Sequence, residues 1–204
     1  KMKILVMFCI IMIVSFAERI QALMDSNYEL INAAEVGDVV KVKESLSRGA
    51  HINSKNNYGV SAIAFAANNN HADLLVLLLD RGANVDDRSN NLRTPLIWAA
   101  NWGHFDIVRI LVEHEADIDA QDNEGMTPLM CATRNGFQSI VEYLLSKGAN
   151  ASIQNNYGSM ALNIAVVTNR QDLISLLKSV TPVASKTTPH PLLVLWEQIV
   201  AVVY

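Results

Sequence analysis

The sequence predicts an all-α fold: a solenoid of five stacked helix-turn-helix units spanning residues 27–180 of the 204-residue chain. Three observations predict it. Gly49-Ala50, Gly82-Ala83, Glu115-Ala116 and Gly148-Ala149 follow one another at a step of 33 residues. Gly37, Asn70, Gly103, Gly136 and Asn169 keep the same step, and so do Tyr28-Glu29-Leu30, Ser61-Ala62-Ile63, Thr94-Pro95-Leu96, Thr127-Pro128-Leu129 and Met160-Ala161-Leu162. Three ladders in phase mark a tandem array, whose units are each too small to bury an apolar face alone and are completed by their neighbours.

Residues 89–121 are the fullest copy. Thr94 is suited to an N-cap, because its hydroxyl accepts a hydrogen bond from an otherwise orphaned N–H of the first turn. Pro95 follows at the first helical position, where the missing N–H costs nothing and φ is already helical. A short helix over 95–101 presents Leu96, Ala99 and Ala100, small enough for close approach by neighbours. Gly103 ends it by accepting a left-handed backbone. A second helix over 105–113 carries Ile107, Val108, Ile110, Leu111 and Val112 at helical spacing, with Asp106 placed well against the helix dipole. Thr127 and Pro128 repeat the cap one unit later.

The T-P-L signature on a 33-residue period resembles the ankyrin-repeat family over roughly residues 25–180. The resemblance implies hairpin-shaped β loops between units, and a structural role for His71 and His104, which share one position after the first helix and would bridge loop backbone groups. Two departures fall in one repeat. Leu92 stands where the other hairpins have Gly59, Gly125 and Gly158, and Glu115 where the others have Gly49, Gly82 and Gly148. If the backbone stays left-handed there, each non-glycine costs about 1–2 kcal/mol. Leu92 reads either as drift in a tolerant array or as an apolar tip kept for a partner. The histidine that usually follows T-P-L is replaced by Ala64, Ile97, Met130 and Asn163, so the stack should lean more on apolar packing.

In chain order, residues 1–17 read as a signal peptide: Lys1 and Lys3, an apolar run over 4–14, then Ser15-Phe16-Ala17 with small residues at −3 and −1 of a cut before Glu18. An uncleaved anchor is the alternative. Residues 18–26 form a spacer. The repeats follow at about 27–55, 56–88, 89–121, 122–154 and 155–180. The first lacks T-P and carries Glu29, Asn32, Glu35, Lys41, Lys43 and Glu44, the polarity a terminal unit needs. Residues 181–191, with Pro182, Pro189 and Pro191, are a linker. The apolar tail 192–204 reads as an element packing back on the last repeat, with a partner-docking or membrane-surface tail as the other reading.

Composition excludes several functions. Half of the residues are hydrophobic and 18% are charged, which fits a globular chain and not a disordered one. Without Lys1 and Lys3, 14 basic residues face 20 acidic ones, a net charge of about −6. That argues against nucleic acid as a partner, which needs clustered positive charge, and against adhesion to anionic lipid. Membrane contact is expected only through the termini. Cys131 reads as a small buried hydrophobe. Asp86, Asp87, Asp117 and Asp119 read as turn residues, not as a calcium site, and no phosphate-cradling glycine loop or nucleophile elbow occurs. The expectation is therefore no catalytic residue, no metal and no cofactor.

The resemblance places binding on a concave flank of hairpin tips and first-helix ends. Carried over residue by residue, it gives Asn57, Tyr58 and Val60 from the second repeat and Asn90, Asn91, Leu92, Arg93 and Trp102 from the third. The fourth gives Glu124, Met126, Arg134 and Asn135, and the fifth gives Tyr157. Aromatic side chains among adaptable polar neighbours are typical binding anchors. Trp102 stands out, since its counterparts are Val36, Asn69, Asn135 and Thr168. The expected function is a monomeric, non-enzymatic protein-binding module acting after export, periplasmic or secreted. The alternatives are a membrane-tethered scaffold, a secreted effector, or a periplasmic immunity protein that neutralises a toxin.

Overall fold

A computed structural model describes the backbone of residues 2–180, and the side chains of Met12 and of residues 14–180. The linker 181–191 and the tail 192–204 lie outside the described residues. Among the described residues ten helices alternate in two layers. The first helices, α1 (Met2–Val36), α3 (Ala62–Asn68), α5 (Pro95–Trp102), α7 (Pro128–Asn135) and α9 (Ala161–Val167), pack side by side in one row. The second helices are α2 (Val39–Ser47), α4 (Ala72–Asp80), α6 (Phe105–Glu113), α8 (Gln138–Ser146) and α10 (Gln171–Val180), and each packs on its partner.

The core is a continuous seam between the layers. Leu30, Ile63, Leu96 and Leu129, one residue per repeat, are at most 1% exposed. Ala64, Ile97 and Met130 are also buried, so the positions lacking the family's histidine are filled by apolar packing. Thr94 and Thr127 cap as expected, accepting the N–H groups of Ile97 and Met130 at 3.3 and 3.2 Å.

Two expectations about local structure need correction. Residues 18–26 are not a separate spacer: α1 runs through them into the first repeat. No Gly or Pro occurs between Met2 and Val36, so nothing stops the helix before Gly37. The loops between repeats are tight turns and not β-hairpins. Among the described residues there is no strand, only an isolated bridge between Lys55 and Ser61.

The break between the helices of a repeat is fixed from both sides. Gly103 and Gly136 both have φ +80°. A Cβ at Gly103 would lie 2.6 Å from the Phe137 ring, and one at Gly136 would lie 2.5 Å from the Arg170 guanidinium. Each glycine thus accepts both a left-handed backbone and the next repeat's side chain. At the equivalent of Phe137 and Arg170, the Nε2–H groups of His71 and His104 donate to the carbonyls of Glu35 and Asn68 at 3.1 and 3.0 Å. These histidines bridge repeats through backbone groups, as the resemblance implies.

Candidate functional site: the flank of turn tips and first helices

Each turn is tied by its own first residue. The Asn56, Asp122 and Asn155 side-chain oxygens each accept two N–H groups from within the turn, those of Tyr58 and Val60 in the first case. Successive tips are then joined by backbone bonds of 3.0 Å: Asn90 N–H to Tyr58 O, Asn123 N–H to Asn91 O, and Asn156 N–H to Glu124 O. The four tips form one braced row.

The tip of the third repeat differs. The Asn90 and Asn156 amides cross over Gly59 and Gly125 to donate to the carbonyls of Asn57 and Asn123. Among the described residues Asn123 makes no such bond across Leu92. Leu92 holds φ +58° and Glu115 φ +60°, so the left-handed backbone persists at both positions. Leu92 is 44% exposed.

Below the tips lie two hollows. One, of about 270 Å³, is bounded by Glu124, Met126, Arg134, Tyr157, Ile164 and Thr168, between the last two turns and α7 and α9. The other, of about 500 Å³, lies between α1 and the first turn and is bounded by Met24, Tyr28, Ile31, Glu35, Asn57 and Phe65. Repeat equivalence links them. Tyr157 is the counterpart of Tyr58, Thr168 of Trp102, and Ile164 of Trp98 and Phe65. Hence Tyr58 and Trp102 occupy positions whose fifth-repeat equivalents line a hollow, and Tyr58, Trp102 and Tyr157 share one flank. Tyr58 is 76%, Trp102 55% and Tyr157 70% exposed.

Several residues carried over from the resemblance serve the stack. Arg93 pairs with the buried Asp122 carboxylate at 3.3 Å and lies over the Trp98 ring, 4.8 Å from its centroid, a cation–π contact. Arg134 donates to the Asn101 side-chain oxygen, and Asn135 to the carbonyls of Asn101 and Cys131. Asn90 is committed to Asn57. Met126 is only 4% exposed, so it forms hollow wall and not a projecting contact, and Val60 is half-buried. Asn57, Tyr58, Asn91, Leu92, Trp102, Glu124 and Tyr157 project from the flank as exposed side chains.

Residues not singled out from sequence complete the floor. Ile164 lines the smaller hollow and Phe65 the larger, with Met24, Tyr28 and Ile31 of α1 beside it. Trp98 holds the equivalent position of the third repeat, against Arg93. The in-phase series Asn32, Phe65, Trp98, Cys131, Ile164 was the available signal. Its fourth member is buried, which makes the whole series look like core.

The remaining reactive groups have structural surroundings. Burial raises the Cys131 thiol from its ordinary 9.0 to about 11. Asp86 and Asp119 accept the N–H groups of Asp117 and Asn150 in the next loop, and Asp87 pairs with Lys55 at 2.7 Å. At the start of α2, Asp38 accepts the Lys41 N–H, and that backbone hydrogen bond lowers its carboxyl pKa. Among the described residues no three of His, Cys, Asp and Glu gather as metal ligands would.

The family model for ankyrin repeats (3 copies) matches residues 30–122 and 115–186, more than half of the chain. The chain belongs to the ankyrin-repeat family. No curated protein matches it. Ankyrin repeats generally mediate protein–protein interaction, and the family is typically non-enzymatic.

Proposed function

We propose that this protein is a non-enzymatic binding module that takes a partner protein on the flank of turn tips and first helices, and that it acts after export. The observation that carries the reading is the projection of Tyr58, Trp102 and Tyr157 from one braced flank, at 76%, 55% and 70% exposure. Large aromatics left in water on a rigid support lose little conformational freedom on binding. Affinity capture with the processed protein from an extract of its own cell or host tests it, with Trp102→Ala plus Tyr58→Ala run alongside. The double variant should lose the captured partner by at least tenfold. Equal capture by both proteins would remove the flank as the binding surface.

Export rests on the sequence of residues 1–17, and the mass of the protein purified from its source tests it. A chain starting at Glu18 supports export; an intact leader in soluble cytosol overturns it. Two roles fit an exported module: neutralising a toxin in the periplasm as an immunity protein, or engaging host proteins as a secreted effector. A toxin gene next door would favour the first. A membrane-tethered scaffold is the second reading. It is favoured by α1, which continues without a break through Ser15, Phe16 and Ala17 into the first repeat. Recovery of the uncut chain with membranes would select it.

A further inference from the structure

The last repeat carries core side chains on a face that has no neighbour among the described residues. In the first four repeats one first-helix position lies beneath the next repeat, and Ala34, Ala67, Ala100 and Thr133 there are all 0% exposed. The fifth repeat has Val166 at this position, and it is 51% exposed. The residues around it follow the same pattern. Leu162 is only partly buried where its counterparts are at most 1% exposed, and Ile174 is 9% exposed where Val42, Leu75, Val108 and Val141 are 0%. A terminal unit of a stack stays soluble by turning a polar face outward. The first repeat does so with Glu29, Asn32, Lys41 and Lys43, all exposed. The fifth repeat presents Leu162 and Val166 instead.

We infer that residues 192–204 of this same chain cover the Leu162–Val166 face and close the stack. The chain leaves α10 at Val180, in the repeat that owns this face. The 11 residues 181–191 reach at most about 40 Å when extended, whereas α9, with seven residues, is about 10 Å long. Reach is therefore not limiting. Residues 192–204 offer the complementary surface. Leu192, Leu195, Trp196, Ile199, Val200 and Val203 recur at spacings of three and four, with only Glu197 and Gln198 polar. As a helix this segment would be about 20 Å long, enough to lie along α9 as each first helix lies along the next. The proposal does not depend on the flank binding a partner, and its failure would leave that reading untouched.

Two reciprocal measurements on the full chain test it. Hydrogen exchange of the α9 amides is compared between the wild type and Trp196→Asp plus Ile199→Asp, and the double variant should exchange at least tenfold faster in α9 while α5 is unchanged. Acrylamide quenching of Trp196, isolated as the difference from Trp196→Phe, should at least double in Val166→Glu. If Val166→Glu unfolds the fifth repeat, Val166→Ala takes its place and should raise quenching in the same direction by less. Equal α9 protection with and without the charges would overturn the assignment, as would quenching that ignores Val166. Shielding of Trp196 only after addition of phosphatidylcholine–phosphatidylglycerol vesicles would assign the segment to a lipid surface instead, and would also overturn it.

Discussion

Repeats 3 and 4 share a cap, a helix pair and a left-handed break, yet they meet those demands with different residues. Repeat 4 uses glycine at both remaining left-handed positions, Gly125 and Gly148, with φ +76° and +92°. Repeat 3 holds Leu92 and Glu115 there at +58° and +60°. The backbone is the same although one local preference opposes it, so the conformation is imposed by the neighbours on either side. Strain of this kind persists only where the surroundings over-determine it. Repeat 3 also carries the exposed Trp102 at the end of its first helix, and the tip where the crossing amide is missing.

The comparison breaks most sharply at the glycine between the helices. Gly103→Ala should destabilise by about 3 kcal/mol, adding left-handed strain to a clash with the packed Phe137 ring. Gly136→Ala should lose about half of that, because the end of Arg170 can move aside. Urea midpoints of the two variants measure the difference, and equal losses would show that the ring contact contributes nothing.

Leu92→Gly sharpens the comparison from the other side. It should stabilise by about 1–2 kcal/mol by relieving strain and by letting Asn123 cross to the Asn90 carbonyl as its counterparts do. Glu115→Gly should add about 1 kcal/mol, since no neighbour crowds the equivalent Gly82 or Gly148. If Leu92 is held for a partner, Leu92→Gly will bind less tightly while unfolding at higher urea. If it is drift, affinity will not change.

The caps should not distinguish the repeats. Thr94→Ala and Thr127→Ala each remove one buried acceptor of similar geometry, and each should destabilise by about 1 kcal/mol. A difference of more than half that value would mean that the strain in repeat 3 reaches its helix. Near neutral pH no titration effect is expected from Cys131, which repeat 4 has in place of Trp98. Its folded pKa of about 11 lies above the ordinary 9.0, so the neutral thiol favours the folded state. That contribution is complete below pH 9 and is lost as pH rises towards 11. Cys131→Ala should flatten the fall in the urea midpoint over this window, and the native thiol should resist alkylation at pH 8.

The helical stack was legible because its signals are local and repeat: T-P pairs, glycines and apolar stripes in phase. The error over residues 18–26 came from treating the first copy as a start, when the absence of Gly and Pro from Met2 to Val36 already permits one helix. β-hairpins were overestimated because the turn residues leave only one bridged pair beside them. At the flank, exposure of Tyr58, Trp102 and Tyr157 follows from repeat phase. The commitment of Arg93, Asn90, Arg134 and Asn135 to neighbouring repeats does not, because it depends on distances across the stack that no spacing encodes. Nor does the burial of Met126, since Val60 and Arg93 at the same position stay half-exposed.

The braced row of tips is in effect a ruler. Adjacent first helices in such a stack sit about 8–10 Å apart, and Tyr58 and Tyr157 are separated by three steps, so the two rings mark out about 24–30 Å along the flank. Backbone bonds between tips keep that interval from stretching. A ligand touching both rings must itself be that long: an extended strand of about nine residues, a helix of about 20, or the face of a folded domain. Shorter peptides would reach only one mark, whatever their chemistry.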